Sequence, residues 1–299
     1  MLATRPVPKE GVLIVNAHSR KGRALFRDAA FKLREAGIRL TAAHAVRDPD
    51  DLIPTVQQAV KGGAALVIVG GGDGSLSCAV DELVDRDCVF ALLPLGTANS
   101  FARTLGIPLD LDGAIRTIVT GRRRRVDLGI IDGDYFANSA AIGLSPQIGA
   151  TVPDGLKRWL GRFGYLIWSM WLMWRFKPFA LTVEVDGERH RLSALEVRIA
   201  NGSYHGGVEV VDEAEVDSGA IVVQVVAGQT TRRLLWNWLA VLLRLGARKE
   251  TVRDFAARRV RIETDPPLPI SIDGEVLGHT PAVAEVAECA IEVVVPADS

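Results

Sequence analysis

The first 125 residues alternate short apolar runs with stretches in which apolar residues recur at helical spacing. The pattern predicts strands at 12–15, 39–45, 66–69 and 89–93, and helices at 22–36, 51–61, 75–84 and 114–119. Strands that alternate with helices form parallel βαβ units. This part is therefore predicted to be α/β, with a doubly wound parallel sheet.

After Val126 the pattern changes to strict alternation of apolar and polar residues. LTVEVDG, ALEVRIANG, AIVVQVVAG and RVRIETD are bounded by Gly, Asn and Asp, which is typical of an antiparallel β-sandwich or barrel. Helical inserts are predicted at 157–176 and 232–248. We predict two domains, an α/β unit at 1–126 and a β-rich unit at 127–283, with the final segment, about 284–299, belonging to either one.

The composition narrows the class of protein. The 299 residues are 48% apolar and 24% charged, with a formal net charge of -1, which is typical of a globular chain and argues against nucleic-acid binding. The three cysteines have no paired or metal-like spacing, which favours a reducing compartment. Apolar runs stay short of the ~20 residues of a membrane span. We therefore expect a cytoplasmic protein, and the sequence leaves its oligomeric state open.

Glycines crowd the turn after the third predicted strand, in VIVGGGDGSLS (67–77). Glycine lets a ligand approach the main chain, and the N–H groups of a helix N-terminus bind anions. The stretch matches neither G-x-x-x-x-G-K-[ST] nor G-x-G-x-x-G. A phosphate cradle and a turn that only packs helix on strand are both open.

A second turn, in LPLGTANSFAR (93–103), follows the fourth predicted strand. Gly96, Thr97 and Asn99 place a small residue, a hydroxyl and an amide at a helix start, where they either cap the helix or hydrogen-bond a sugar or phosphate. Both turns follow parallel strands at the sheet edge where α/β proteins bind ligands.

These turns resemble motifs of the diacylglycerol kinase catalytic-domain superfamily, most closely its bacterial soluble lipid kinases related to sphingosine and ceramide kinases. GGGDGS (70–75) stands where the family has GGDG-T, and LPLGTANSFAR where it has P-x-G-T-x-N-D-F-A-R. Further segments recur in the family's order: VDLG to YFANSAAIGL (126–144), NGSYHGG (201–207), DSGAI (217–221) and IDGE (272–275). The resemblance covers nearly the whole chain.

The resemblance implies transfer of the ATP γ-phosphoryl group to a lipid hydroxyl, in a cleft between a phosphofructokinase- and NAD-kinase-like α/β domain and a C-terminal β-sandwich domain. It implies that the nucleotide is bound by Asn16, Gly70, Gly71, Gly72, Asp73, Gly74, Ser75, Leu76, Thr97 and Asn99. Asp73 would orient the phosphates through Mg²⁺ or water, and Glu275 would be the general base. From the residues alone, Glu275 is an exposed hairpin acid after the turn pair Asp273-Gly274.

Two places depart from the family pattern. Ser100 stands where many diacylglycerol kinases carry Asp, so substrate choice and metal dependence are open, and Arg103 beside it could neutralise phosphate charge. The bacterial relatives bind a regulatory or structural cation through main-chain carbonyls and an Asp next to a Gly. The corresponding residues here are Glu215, Asp217, Ser218 and Ala220. A bound Mg²⁺ or Ca²⁺ and an empty site are both open.

The segment RWLGRFGYLIWSMWLMWRF (158–176) holds four of the six tryptophans between basic residues. Such a segment suits the headgroup boundary of a bilayer, so a lipid substrate and a peripheral membrane surface are the expected partners. The alternative is that both helical inserts cap the β domain with their apolar faces inward.

Two rival functions stay open. One is a kinase of a soluble hydroxylated metabolite or of NAD, against which the lipid-type second domain and the Trp-rich segment argue. The other is a non-catalytic lipid- or nucleotide-binding protein, which Ser100 and Ser218 make credible and which Glu275 and the glycine turn disfavour.

Overall fold

The structure is a computed structural model, and it describes residues 6–18, 20–153, 168–211, 214–230 and 252–298. The predicted helix at 232–248 and the first part of the one at 157–176 lie outside these ranges. Residues 168–175 are helical. None of the helices in the described ranges has the length and apolar character needed to cross a membrane.

The N-terminal part is a parallel sheet flanked by helices, as predicted. Its strands are β1 (Glu10–Asn16), β2 (Arg39–Val46), β3 (Leu66–Gly71) and β4 (Val89–Pro94), in the order β4-β3-β1-β2. Its helices are α1 (Arg20–Glu35), α2 (Leu52–Lys61), α3 (Asp73–Val80), α4 (Ser100–Thr104) and α5 (Leu111–Thr120), with 3-10 turns at Pro49–Asp51 and Asp81–Leu83. Because β1, β3 and β4 are parallel, the turns that follow them meet at one edge of the sheet.

The rest of the described chain is mostly antiparallel β-structure, as the alternating pattern predicts. Its elements are β5 (Arg122–Ile131), β6 (Asp134–Phe136), β7 (Ser139–Gly143), α6 (Leu144–Thr151), β8 (Phe179–Val185), β9 (Glu188–Ala200), β10 (Tyr204–His205), β11 (Val208–Glu209), β12 (Ile221–Ala227), β13 (Val252–Ala257), β14 (Arg259–Asp265), β15 (Pro269–Ile272), β16 (Glu275–His279) and β17 (Ala282–Val295). Most of these strands enclose a second apolar core, while Val126 and Leu128 of β5 and the last residues of β17 belong to the core around β1, β3 and β4.

The last strand, β17, contacts both parts of the chain. Its first residues pair antiparallel with β14, and Glu292 and Val293 pair in parallel with Val89 and Phe90 of β4. Antiparallel pairing with β5 runs along most of its length. One sheet is therefore continuous across the two parts between which the family resemblance implies a cleft.

Candidate active site

The glycine-rich turn lies where β3 ends and α3 begins, and some of its glycines are too closely packed for any larger residue. A Cβ on Gly71 would lie 2.5 Å from the Cβ of Ser75, and one on Gly96 would lie 2.5 Å from the Cα of Gly72. The second distance means that the turns after β3 and β4 touch. The two glycine motifs of the sequence therefore form one surface.

Gly74 is different, because a Cβ added there would meet no described atom within 4 Å. It is exposed in the first turn of α3, and its φ is outside the left-handed region. Neither packing nor backbone strain explains a glycine at this position. Without a side chain at this position, a ligand can approach the main chain at the N-terminus of α3, where N–H groups bind anions.

Side-chain hydrogen bonds hold the two turns in place. Asn16 Nδ2, at the end of β1, donates to Ser75 Oγ at 3.0 Å. The Oδ1 of Asp73 accepts from the backbone N–H of Ser100 at 2.6 Å and so caps the N-terminus of α4. Asn99, with φ of 49°, exchanges two hydrogen bonds with the main chain of Gly96. Asn16, Asp73, Ser75 and Asn99 are thus brought together.

Two of the predicted nucleotide-binding residues, Leu76 and Thr97, lie outside this group of hydrogen-bonded side chains. The side chain of Leu76 lies in the core, and its N–H donates to the carbonyl of Gly72 within α3. Thr97 is exposed at the tip of the second turn. Leu76 therefore offers a ligand no side-chain contact.

Ser100 and Arg103 connect the second turn to its surroundings. Ser100 Oγ accepts from the backbone N–H of Gly207 at 3.1 Å, so the β10–β11 hairpin of the β-rich part lies against α4. Arg103 Nε donates to the carbonyl of Ala98 at 2.9 Å, within the turn itself. In this chain Ser100 joins the two sides of the cleft.

Asp273, which the sequence analysis treated only as a turn residue, forms the main link across the cleft. Its carboxylate accepts from the Ser77 hydroxyl on α3 at 2.8 Å and from the backbone N–H groups of Ala137, Asn138 and Ser139 at 2.9 to 3.2 Å. Burial raises the pKa of Asp273, and these four hydrogen bonds act in the opposite direction. Asp273 therefore fixes the β15–β16 hairpin against α3.

Glu275 is the first residue of β16 and is exposed beside this link. The pKa of Cys78 on α3 is raised by burial and then by the negative charges of Glu275 and Asp81. Glu275 is two residues from Asp273, whose carboxylate accepts from Ser77 on α3. The hairpin that carries Glu275 therefore lies against the helix that begins at Asp73.

Comparisons with known proteins show the family of the chain. Residues 10–131 match the model of the diacylglycerol kinase catalytic domain, and residues 138–295 match that of the YegS C-terminal NAD kinase beta sandwich-like domain. The chain is 32% identical to a YegS-like lipid kinase of Chromohalobacter salexigens, over 85% of this chain and 83% of the relative. The chain belongs to the family of YegS-like lipid kinases and carries a diacylglycerol kinase catalytic domain.

Other relatives and solved structures match nearly the whole chain. A diacylglycerol kinase of Staphylococcus aureus is 29% identical over 97% of this chain and 93% of its own. The crystal structure of a diacylglycerol kinase from Bacillus anthracis superposes with a TM-score of 0.75 at 21% identity, covering 97% of this chain and 98% of that one. A second crystal structure from that organism gives a TM-score of 0.81 at 23% identity, covering 99% of this chain and 98% of that one.

Family membership confirms the predicted lipid kinase and its α/β plus β-sandwich fold. It implies ATP, a lipid substrate and usually a divalent metal. Among the residues that the structure describes, no three His, Cys, Asp or Glu side chains are grouped so that they could hold a metal ion. A cation at the cleft would therefore need oxygen ligands from the phosphates as well as from Asp73.

His205, to which the sequence analysis gave no role, also lies in the cleft. Its Nδ1 is 2.8 Å from Ser139 Oγ, next to the Asp273 hydrogen bonds. Its pKa is lowered by burial and by the positive charge of Arg198, which Glu196, Asp273 and Asp73 oppose only in part. Both effects favour the neutral imidazole. The sequence analysis gives His205 only as part of the segment NGSYHGG (201–207).

The turn that contains Glu215, Asp217, Ser218 and Ala220 contacts β5 rather than the glycine turns. Gly219 donates to the Asp127 carboxylate at 2.8 Å, and Arg124 pairs with Asp217. A cation-binding role for this turn stays a prediction at this point.

Proposed function

We propose that this member of the family transfers the γ-phosphoryl group of ATP to a hydroxyl of a diacylglycerol-like lipid in the cleft between α3 and the β15–β16 hairpin. The observation that carries the proposal is the hydrogen bond from Ser77 on α3 to Asp273, because it sets Glu275 against the helix that begins at Asp73. One side of the cleft then offers a phosphate cradle, and the other a carboxylate.

In the proposed reaction, the hydroxyl oxygen of the lipid attacks the γ-phosphorus. The new P–O bond forms as the bond to the β-phosphate bridging oxygen breaks, and ADP leaves. Glu275 accepts the hydroxyl proton. The main-chain N–H groups at Gly72–Gly74 and the side chains of Asn16, Thr97 and Asn99 hold the nucleotide, as the resemblance implied.

Mg²⁺ is the divalent ion we propose, and it would neutralise phosphate charge when bound. The Oδ1 of Asp73 caps α4, while the described contacts leave Oδ2 for a cation or its water. Arg103 lies close to the same turn and adds positive charge.

We further propose that residues 1–126 form the nucleotide-binding domain and residues 127–283 the lipid domain, with about 284–299 shared between them. The pairing of β17 with both β4 and β14 supports this division.

We expect Gly74→Ala to weaken ATP binding without lowering the stability of the fold. Alanine is tolerated in the open space beside α3 and stabilises a helix by about 0.5–1 kcal/mol relative to glycine. A phosphate that approaches the main chain would meet the added methyl group, so ATP should bind at least roughly tenfold more weakly, a cost comparable to one hydrogen bond. Calorimetry and thermal unfolding would measure the two effects.

Gly96→Ala is the matched control, because its Cβ would collide with the main chain of Gly72. This variant should lose stability and ATP binding together. Unchanged ATP affinity in Gly74→Ala would mean that the first turn serves only to pack α3 on β3.

Access to the lipid is proposed to come from peripheral contact with the bilayer surface. In the helical stretch at 168–175, Trp174 is 85% exposed, and Met170 and Trp171 are exposed on the same helix. Val276 and Leu277, directly after Glu275, are also exposed apolar residues. Tryptophan beside basic residues such as Arg175 is suited to the headgroup boundary.

We expect Trp174→Ala to reduce cosedimentation with vesicles of phosphatidylglycerol and diacylglycerol by roughly tenfold, since an exposed Trp contributes about 1–2 kcal/mol when it enters an interface. Its phosphorylation of a lipid in detergent micelles should change much less. Phe31→Ala is the control, because Phe31 is an exposed aromatic residue on α1. Equal loss in both variants, or in neither, would contradict the proposed membrane contact.

The acceptor is tested by incubating the protein with radiolabelled ATP, Mg²⁺ and a panel of mixed-micelle lipids, beside a panel of soluble alcohols that includes NAD. The proposal expects label in a lipid of the diacylglycerol type. Label in a soluble acceptor would support the metabolite-kinase alternative. ATP binding without transfer to any acceptor would support the non-catalytic one.

A further inference from the structure

The turn from Glu215 to Ala220 fastens the β-rich part of the chain to the N-terminal core. Val216 is buried in the core that surrounds β1, β3 and β4, while the strand that follows the turn, β12, belongs to the other part. The Val216 carbonyl accepts from the N–H of Asp127 at 2.6 Å. The contacts that hold this turn closed therefore help to set the orientation of the two parts of the chain.

The Ser218 hydroxyl lies between two main-chain carbonyls of this turn. It is 2.9 Å from the carbonyl oxygen of Glu215 and 3.2 Å from that of Ala220. These are the same two carbonyls that the family resemblance implies as ligands of a cation. A hydroxyl that donates its proton to this pair satisfies oxygens that a hard cation would otherwise bind.

Of the two acidic residues in the turn, Glu215 and Asp217, the one next to Ser218 is engaged in an ion pair. The Asp217 carboxylate pairs with Arg124 on β5, whose Nε lies 3.1 Å from Oδ2. The guanidinium offsets the negative charge of the carboxylate, which weakens the attraction of the turn for a cation.

The carboxylate of Asp127 on β5, which also contacts the turn, is used as well. Its Oδ2 accepts from the N–H of Gly219, and its Oδ1 from the N–H of Cys289, both at 2.8 Å. Glu288, whose carboxylate lies beside Gly219, pairs with Arg258, and the side chain of Glu215 is exposed. Among the residues that the structure describes, no three acidic or histidine side chains are grouped around the two carbonyls to hold a divalent cation. The residues present therefore do not fit the cation site that the resemblance implies.

We infer that the Ser218 hydroxyl takes the place of a structural cation, so that the turn at 215–220 is closed without a divalent metal. Any Mg²⁺ requirement of this protein then belongs to the nucleotide and the cleft. The inference does not depend on the identity of the lipid or on the proposed catalytic residues.

The test is thermal unfolding of the metal-stripped protein without nucleotide, with and without MgCl2 or CaCl2, together with calorimetric titration of each cation. Wild type should show no saturable binding at this turn and a change in Tm smaller than roughly 1 °C. Ser218→Asp restores an acid next to Gly219, and a cation should raise its Tm by roughly 4 °C or more, as expected when a ligand is present far above its Kd.

Ser193→Asp is the matched control, because its hydroxyl also donates to a carbonyl, that of Gly228, at an exposed site away from the turn. Ser218→Ala gives a second test should the aspartate variant fail to fold. It should lower Tm to the same extent with and without the cation. The inference would be overturned if a cation bound saturably to wild type and raised its Tm. That increase in Tm would have to change in Ser218→Ala or Arg124→Ala and stay the same in Ser193→Asp.

Discussion

Replacing Glu275 by glutamine is expected to lower kcat for lipid phosphorylation by roughly 10²- to 10⁴-fold, the usual contribution of a general base. Glutamine has the same shape but cannot accept the hydroxyl proton. Because Glu275 is exposed and outside the Asp273 hydrogen bonds, Tm should be unchanged. The KM for ATP should also stay close to the wild-type value, since the proposed nucleotide contacts are on the other side of the cleft. Steady-state kinetics in mixed micelles would measure both constants.

The chain supplies a matched control in a second D-G-E hairpin, Asp186-Gly187-Glu188, which joins β8 to β9. Both hairpins place the Asp at positive φ, 51° for Asp186 and 44° for Asp273. Glu188→Gln should leave kcat unaffected. Equal kcat values for Glu275→Gln and wild type would remove Glu275 from the mechanism while leaving the family assignment intact.

The second large effect is expected from Asp273→Asn, which should lower both stability and kcat. An asparagine side chain retains one acceptor oxygen, so part of the link to Ser77 and to the N–H groups of 137–139 is lost. Leaving buried donors unpaired costs about 2–4 kcal/mol in total. The hairpin that carries Glu275 would also lose its fixed position relative to α3. Urea unfolding and kcat should be measured on the same preparation.

Asp186→Asn is the control for this variant, because Asp186 occupies the same turn position but is exposed. A drop in stability in Asp273→Asn with unchanged kcat would restrict Asp273 to a structural role. If neither quantity changed, the Ser77–Asp273 hydrogen bond would not connect the two sides of the cleft.

The two D-G-E hairpins also show how far local sequence can predict this site. The Asp-Gly pair predicts a tight turn at both places, and both are two-residue hairpins in the structure. The family resemblance, not the turn pattern, assigns Glu275 of one hairpin to catalysis. The position of that hairpin depends on partners of Asp273 that are 134 to 196 residues away in the chain. Those partners are set by tertiary packing, which the spacing of residues does not encode.

The parallel sheet was predictable because each of its βα units is formed by one continuous stretch of the chain, so local patterns are sufficient to identify it. The sequence analysis missed α6, because LSPQIGAT carries a proline and a glycine and only a weak apolar repeat. It also gave no role to His205, whose two-residue strand, β10, is too short to leave a pattern. Ser218 was noted as a departure, but its contacts with Glu215 and Ala220 needed the folded turn.

The most direct test of the account is to measure ADP and phosphorylated lipid in the same reaction of the wild-type protein with ATP, Mg²⁺ and diacylglycerol micelles. Released ADP and phosphorylated lipid should appear in equal amounts, with no ADP formed when the lipid is left out, because the proposed cleft transfers the group from ATP directly to the lipid hydroxyl. ADP without phosphorylated lipid, or bound ATP that is never consumed with any acceptor, would contradict the lipid-kinase account of this cleft.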